Sequence, residues 1–186
     1  VVVRALLKLH QRLSRSGLVL ALGVAFVIFE AGVFPYAYTI LGSAPLDLKL
    51  FYSPAQAYAT LTAYGEQGRA LYRIVELTGD LLFPIIYTLL LTLSSSLLFK
   101  QAFSPDSRLQ RLPLYIYPVW LFDLLENICI VTLVSRFPNQ LPGLVYVTQL
   151  FTLLKFAFAG YGMLLLAWGA ARVLVRRMGR SSRDSR

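Results

Sequence analysis

Four stretches of this chain, at about residues 17–42, 77–99, 113–135 and 143–171, are apolar over more than five helical turns each. At about 1.5 Å per residue, each is long enough to cross the roughly 30 Å of hydrocarbon in a bilayer. Lipid offers no partner to a free N–H or C=O, so segments of this kind fold as helices that satisfy their own backbones. Composition agrees, with 57% apolar and 15% charged side chains, against about 25% charged in a soluble domain. The first run is too long for the apolar core of a cleaved signal and reads as a true span. The expectation is an all-α integral membrane protein. It is a four-transmembrane-helix bundle, one domain over residues 1–175, with a long helical extracytoplasmic loop between helices 1 and 2.

The net charge of +9 is concentrated at the ends of the chain. Arg4, Lys8, Arg12 and Arg15 precede the first span, and Arg172, Arg176, Arg177, Arg180, Arg183 and Arg186 follow the last. Lys100, Arg108 and Arg111 lie in the 100–112 connection, whereas 136–142 holds only Arg136. This asymmetry places both termini in the cytoplasm of a multi-pass protein in a bacterial plasma membrane or its equivalent. Basic ends of this kind suit anionic lipid. They lack the basic stripe and recognition fold of a nucleic-acid binder, so no nucleic-acid partner is expected. Residues 1–16 read as a basic amphipathic segment, either lying on the cytoplasmic leaflet or simply extending span one into the cytoplasm, and 176–186 as a basic, disordered tail.

The 43–76 connection carries its own helical signals. Ser53 is a suitable N-cap and Pro54 suits the first helical position, while Gly65 and Gly68 interrupt the pattern. A second helical stretch from about Arg69 runs directly into span two. The connection is expected to rest over the outer mouth of the bundle, with Tyr58, Tyr64 and Tyr72 at the membrane interface.

The spans also contain residues that hydrocarbon disfavours by about 2.5–3.5 kcal/mol each. They are Glu30, Asp80, Asp123, Glu126 and Lys155, with Asn127 among them. Asp123, Glu126 and Asn127 fall at i, i+3 and i+4 and share one face of span three. Asp80, Pro84 and Tyr87 share a face of span two, and Thr148, Thr152 and Lys155 a face of span four. Depth matches as well: Asp123 lies about 15 Å and Glu126 and Glu30 about 20 Å from the cytoplasmic ends of their spans, and Lys155 about 18 Å from the outer end of its own. Asp80, Asp123 and Glu126 are therefore candidate proton-transfer residues. Glu30, Glu76, Tyr87, Asn127, Thr152 and Lys155 are candidate ligand contacts.

Four carboxylates against one lysine cannot all ionise in a low-dielectric pocket, so at least one should hold a proton and be able to lend it. No spacing matches a metal motif, so neither a metal nor another cofactor is expected. The single Cys129 and single His10 exclude a disulfide framework, a cysteine zinc site and a histidine-based triad in the spans. A purely structural account is also open. Lys155 neutralises one acid across helices, Asn127 bridges backbones, Pro84 and Pro118 kink their helices, and Ala159, Gly160 and Gly162 are close-packing positions.

The segment "ELTGDLLFPIIY", Glu76 to Tyr87, resembles the second span of EXPERA-type proteins, the group containing the emopamil-binding sterol isomerase and the sigma-2 receptor. The plan is similar too, with four spans, cytoplasmic termini and a long first outer loop. The resemblance implies that Glu30, Glu76 and Asp80 line a hydrophobic ligand cavity; in the isomerase branch such acids move a proton on a sterol double bond. Size and topology equally suit a family of small bacterial membrane proteins.

The leading expectation is an acidic intramembrane pocket that binds a lipid or isoprenoid-like hydrophobic ligand, with acid–base chemistry within its reach. Whether the chain is an enzyme is left open. One alternative is a non-catalytic membrane subunit or scaffold, alone as a homo-oligomer or in a membrane complex, whose buried polar residues fix helix packing. A second is a small proton-coupled carrier, disfavoured by the absence of an internal repeat.

Overall fold

The computed structural model describes residues 10–184, with side chains described to residue 179. Most of the expected amphipathic segment, residues 1–9, therefore lies outside the described residues, as do 185–186. Among the described residues there is no strand. We label the helices α1 (Ser16–Leu41, with a π turn at Phe29–Val33), α2 (Pro54–Ala63), α3 (Gly65–Leu77), α4 (Gly79–Ala102), α5 (Pro118–Arg136) and α6 (Pro142–Asp184). Four helical segments are long and apolar enough to cross a membrane: Ser16–Leu41, Gly65–Ala102, Arg108–Arg136 and Pro142–Gly179.

Local chemistry accounts for the helix ends and irregularities. Pro35 has no N–H for the carbonyl of Ala31, and its ring crowds that carbonyl. The chain widens into the π turn just before it, where the Phe34 N–H reaches back to the Phe29 carbonyl. Gly42, at φ +70°, closes α1 in the left-handed conformation that glycine adopts without a Cβ clash. Ser53 and Gln56 form a reciprocal capping box on α2 behind Pro54, the start signal expected from the sequence. A break at Thr78 separates α3 from α4. Span three departs from expectation: residues Arg108–Ile116 form a 3-10 segment, and Pro118 is the first residue of α5 instead of a kink within it. Pro118 has no N–H to donate and so suits the first position of α5, where a backbone donor would have no partner within the helix.

α5 and α6 pack along their lengths, with α4 against both. Between α4 and α6 the approach is close: a Cβ on Gly169 would lie 2.9 Å from the Leu98 Cβ. Gly162 likewise meets Ile116 at 3.3 Å, whereas Gly160 faces open space and is not a packing position. α1 is peripheral. None of Ser16–Ile28 is buried, and Phe26, Phe29 and Phe34 hold it by packing on Phe83 of α4 at centroid distances of 5.4, 5.6 and 4.9 Å. Large apolar side chains stay exposed around the bundle, such as Leu20 and Leu164 at 70% and 71%. Such a surface fits hydrocarbon better than water.

The two ends of the bundle differ. At one end Leu41, Leu46, Tyr52, Tyr58, Leu61, Tyr64 and Tyr72 pack with Ile130 and Leu133 of α5 and Val145 of α6. Tyr58, Tyr64 and Tyr72 are therefore core residues and not membrane-interface residues. Each hydroxyl has a protein partner: Tyr58 accepts from the Leu141 N–H, Tyr64 donates to the Ala44 carbonyl, and Tyr72 donates to Asp47. At the other end residues Gln11 and Ser14 and the Arg176 turn of α6 converge on the end of α4. Lys100 donates to the Gln11 and Ser14 carbonyls, and Arg176 donates to the Gln101 carbonyl. α6 runs on to Asp184, so 176–184 are helical in place of the expected disordered tail.

His10 joins this second end. Its Nε2 lies 2.5 Å from Ser96 Oγ and its Nδ1 3.2 Å from the Tyr117 hydroxyl. Burial, aided by the positive charge of Lys100 and against a backbone contact at Thr92, lowers its pKa from 6.5 to about 4. The ring is thus held neutral, and this anchorage is complete above pH 6.5 and lost as the pH falls through about 4. Amide exchange of residues 10–15, corrected for its intrinsic pH dependence, should accelerate between pH 6 and pH 4, and the same change should be absent in His10→Phe. A second expectation concerns Gly169. Gly169→Ala should lower stability by about 1–3 kcal/mol through overpacking, while Gly160→Ala should leave the melting temperature unchanged or raise it, as read by thermal denaturation in detergent.

Candidate functional site

The i, i+3, i+4 face of α5 points inward as a unit: Asp123, Glu126 and Asn127 are 2%, 0% and 2% exposed. Lys155 of α6 meets them, its Nζ 2.5 Å from Glu126 Oε2 and 3.6 Å from Asp123 Oδ2. Thr152, nearly one turn earlier on α6, donates to Glu126 Oε1 at 2.5 Å. From α4, the Tyr87 hydroxyl donates to Asp123 Oδ2. The Asn127 amide donates to the backbone carbonyl of Asp80 at 2.7 Å. The three helices are thus joined through one polar cluster, with the residues that helical spacing placed on facing surfaces.

The carboxylate of Asp80 belongs to a neighbouring group. Its oxygens, with those of Glu76 and Asp47, offer one ligand atom each within 4.8 Å of one another. Asp47 sits on the 3-10 turn Leu46–Leu48, Glu76 in the last turn of α3 and Asp80 in the first turn of α4. Tyr72 donates to Asp47 Oδ1 at 2.9 Å and itself accepts from the Leu46 N–H at 3.1 Å. Tyr52 and Tyr64 close over this end. Burial, with the charge of Glu126 for Tyr52 and of Asp47 for both, pushes their phenols up, so both remain protonated.

Several buried atoms lack a hydrogen-bond partner among the described residues: Glu76 Oε2, Asp80 Oδ2, Asp123 Oδ1, Asn127 Oδ1, Thr88 Oγ1 and Ser95 Oγ. Native interiors leave few such atoms without a reason. Here they lie in or beside the two carboxylate groups and along one face of α4, where Thr88, Thr92, Ser95 and Ser96 are all buried.

Of the expected residues, Asp80, Asp123, Glu126, Glu76, Tyr87, Asn127, Thr152 and Lys155 fall within these two groups. Glu30 does not. It lies exposed on the π turn of α1, where Phe29 and Phe34 take the side that faces Phe83 of α4. Asp47 and Tyr72 are the residues that spacing missed. Asp47 lies in an irregular stretch with no period to reveal its direction. Its only signal is a lone acid between Leu46 and Leu48.

Comparison with protein-family models, with curated proteins and with solved structures finds no match for this chain.

Electrostatics yields a direct expectation. Lys155→Met strands two carboxylates in a buried position and should destabilise the protein by about 3–5 kcal/mol. Adding Asp123→Asn and Glu126→Gln to that variant should recover much of the loss. Thermal melts of the single and triple variants in the same detergent test both statements; equal melting temperatures for wild type and Lys155→Met would remove the ion pair as a structural element.

Proposed function

We propose that this is an integral membrane protein that binds a lipid or isoprenoid-like amphiphile. The apolar chain of the ligand lies against α6, and its polar head reaches the cluster of Lys155, Asp123 and Glu126. The observation that carries the reading is an open apolar groove of about 350 Å³ on the outside of the bundle, lined by Tyr115, Ala157, Phe158 and Tyr161. Phe158 is about one helical turn from Lys155 and stacks on Phe122, the chain neighbour of Asp123, at 5.6 Å. Beyond the Phe122–Phe158 pair is the buried charged cluster, where Asp123 Oδ1 and Asn127 Oδ1 accept from no protein donor among the described residues. A head group with O–H or N–H donors satisfies both.

The chemistry within reach is proton transfer. Asp123 Oδ2 accepts from the Tyr87 hydroxyl and lies 3.6 Å from the Lys155 ammonium, so a proton donor and a proton acceptor stand side by side where a head group would bind. The EXPERA resemblance points the same way through Glu76 and Asp80, although Glu30 stands outside the cluster. The excess of Lys and Arg at both ends supports cytoplasmic termini. There, a cleft of about 280 Å³ lined by Gln101, Val173, Arg176 and Arg177 suits an anionic head group.

One observation favours a scaffold instead. Lys155 pairs with both carboxylates and Asn127 clamps the α4 backbone, an arrangement that fixes helix register without a ligand. Native mass spectrometry separates the two readings. The purified protein should carry an amphiphile, and Ala157→Trp, which fills the exposed groove, should cut its occupancy about tenfold with no change in melting temperature. Asp123→Asn should also lose the amphiphile while staying folded. Full occupancy in Ala157→Trp would sink the ligand reading, and an Asp123→Asn variant that loses stability but keeps its amphiphile would favour the scaffold.

A further inference from the structure

The carboxylates of Asp47, Glu76 and Asp80 have no explanation in the ion-paired cluster. They are 7%, 2% and 8% exposed and come from three separate elements. Among the described residues no ion pair reaches any of them, since Lys155 is committed to Asp123 and Glu126. Three acids gathered without a counter-charge is an arrangement that burial strongly opposes. Acidic residues often cluster harmlessly at a surface, where water screens them. These are not at a surface, and Glu76 Oε2 and Asp80 Oδ2 are buried without any hydrogen-bond partner.

We propose that Asp47, Glu76 and Asp80 form a binding site for a hard divalent cation of the calcium class. The three residues each turn one oxygen into a space small enough for a single ion, all within 4.8 Å. The donor set is carboxylate oxygen only, which selects a hard cation over zinc, copper or iron. Calcium tolerates the irregular geometry of ligands drawn from a turn and two helix ends, at about 2.3–2.6 Å each, whereas magnesium demands a near-ideal octahedron.

The supporting shell is already in place. Tyr72 donates to Asp47 Oδ1 and is itself held by the Leu46 N–H, which orients the carboxylate and leaves its second oxygen for the ion. The Asn127 amide holds the Asp80 carbonyl and so fixes the first turn of α4, beside the break at Thr78. A cation here fastens the 43–53 connection to the junction of α3 and α4. It neutralises the charge that the bundle cannot. The inference does not rest on the amphiphile reading, which concerns the Asp123 cluster and the groove on α6.

Terbium luminescence tests it on the full chain in detergent. Tyr72, bonded to Asp47, is positioned to sensitise a bound Tb³⁺ ion. Emission should rise saturably, calcium should displace the ion, and calcium alone should raise the melting temperature, as any ligand of the folded state does. Glu76→Gln and Asp80→Asn should each weaken binding at least about tenfold, while Asp123→Asn should leave it unchanged. Terbium that calcium does not displace, undiminished binding in the Glu76→Gln/Asp80→Asn double variant, or a wild-type melting temperature indifferent to millimolar calcium would each overturn the proposal. The last criterion holds even where a variant does not fold. Amphiphile occupancy in Ala157→Trp is a separate readout, so either proposal can fail without the other.

Discussion

Lys155 stands between Glu126 and Asp123 in a position almost without water, and the arrangement of α4, α5 and α6 depends on it. Two carboxylates and an ammonium are costly to bury separately, and their attraction compensates only when all three are in place. That condition admits one register between α5 and α6. Thr152 strengthens it from the preceding turn of α6, and Tyr87 and Asn127 extend it to α4. Hydrocarbon exerts no hydrophobic force between apolar helices, so specificity must come from polar contacts and close packing. Gly169 against Leu98 supplies the close packing toward the other end of the bundle.

Around that centre the molecule is asymmetric. One end is sealed by a connection of packed tyrosines and carries Asp47, Glu76 and Asp80 as surplus negative charge. The other end gathers His10, Lys100, Arg172 and Arg176 near the end of α4, with Arg172 over the Phe103 ring and Arg176 on the Gln101 carbonyl. α1 touches this framework through Phe26, Phe29 and Phe34 on Phe83 and, at its end, through Leu41 in the tyrosine cluster. Much of its remaining surface is apolar and exposed, which lipid tolerates and water does not.

Much of the polar centre is readable without coordinates, and the reason is helical periodicity. Asp123, Glu126 and Asn127 recur at intervals that put them on one face in any α-helix, and so do Thr152 and Lys155. An ionisable residue inside an apolar run must turn inward, so these two faces had to meet. The same argument misplaces Glu30. An exposed π turn ahead of Pro35 changes the phase of α1, and a peripheral helix has an outward face as large as its inward one. Tyr58, Tyr64 and Tyr72 are misplaced for a different reason. Tyrosine suits a membrane interface and a hydrogen-bonded core equally, and only the partners Leu141, Ala44 and Asp47 distinguish the two.

The sequence by itself determined four apolar helical segments, the helix start at Ser53 and Pro54, and the inward polar faces of α5 and α6, because each follows from backbone hydrogen bonding and a fixed number of residues per turn. Only the tertiary structure decided that Asp47 joins Glu76 and Asp80 while Glu30 does not. Asp47 lies in a segment with no repeat from which a direction can be read, and its place is set by how the connection packs on α3, α5 and α6 and by a hydrogen bond from Tyr72. Charge within a helix declares its face; charge in an irregular connection acquires one only when the chain closes over it.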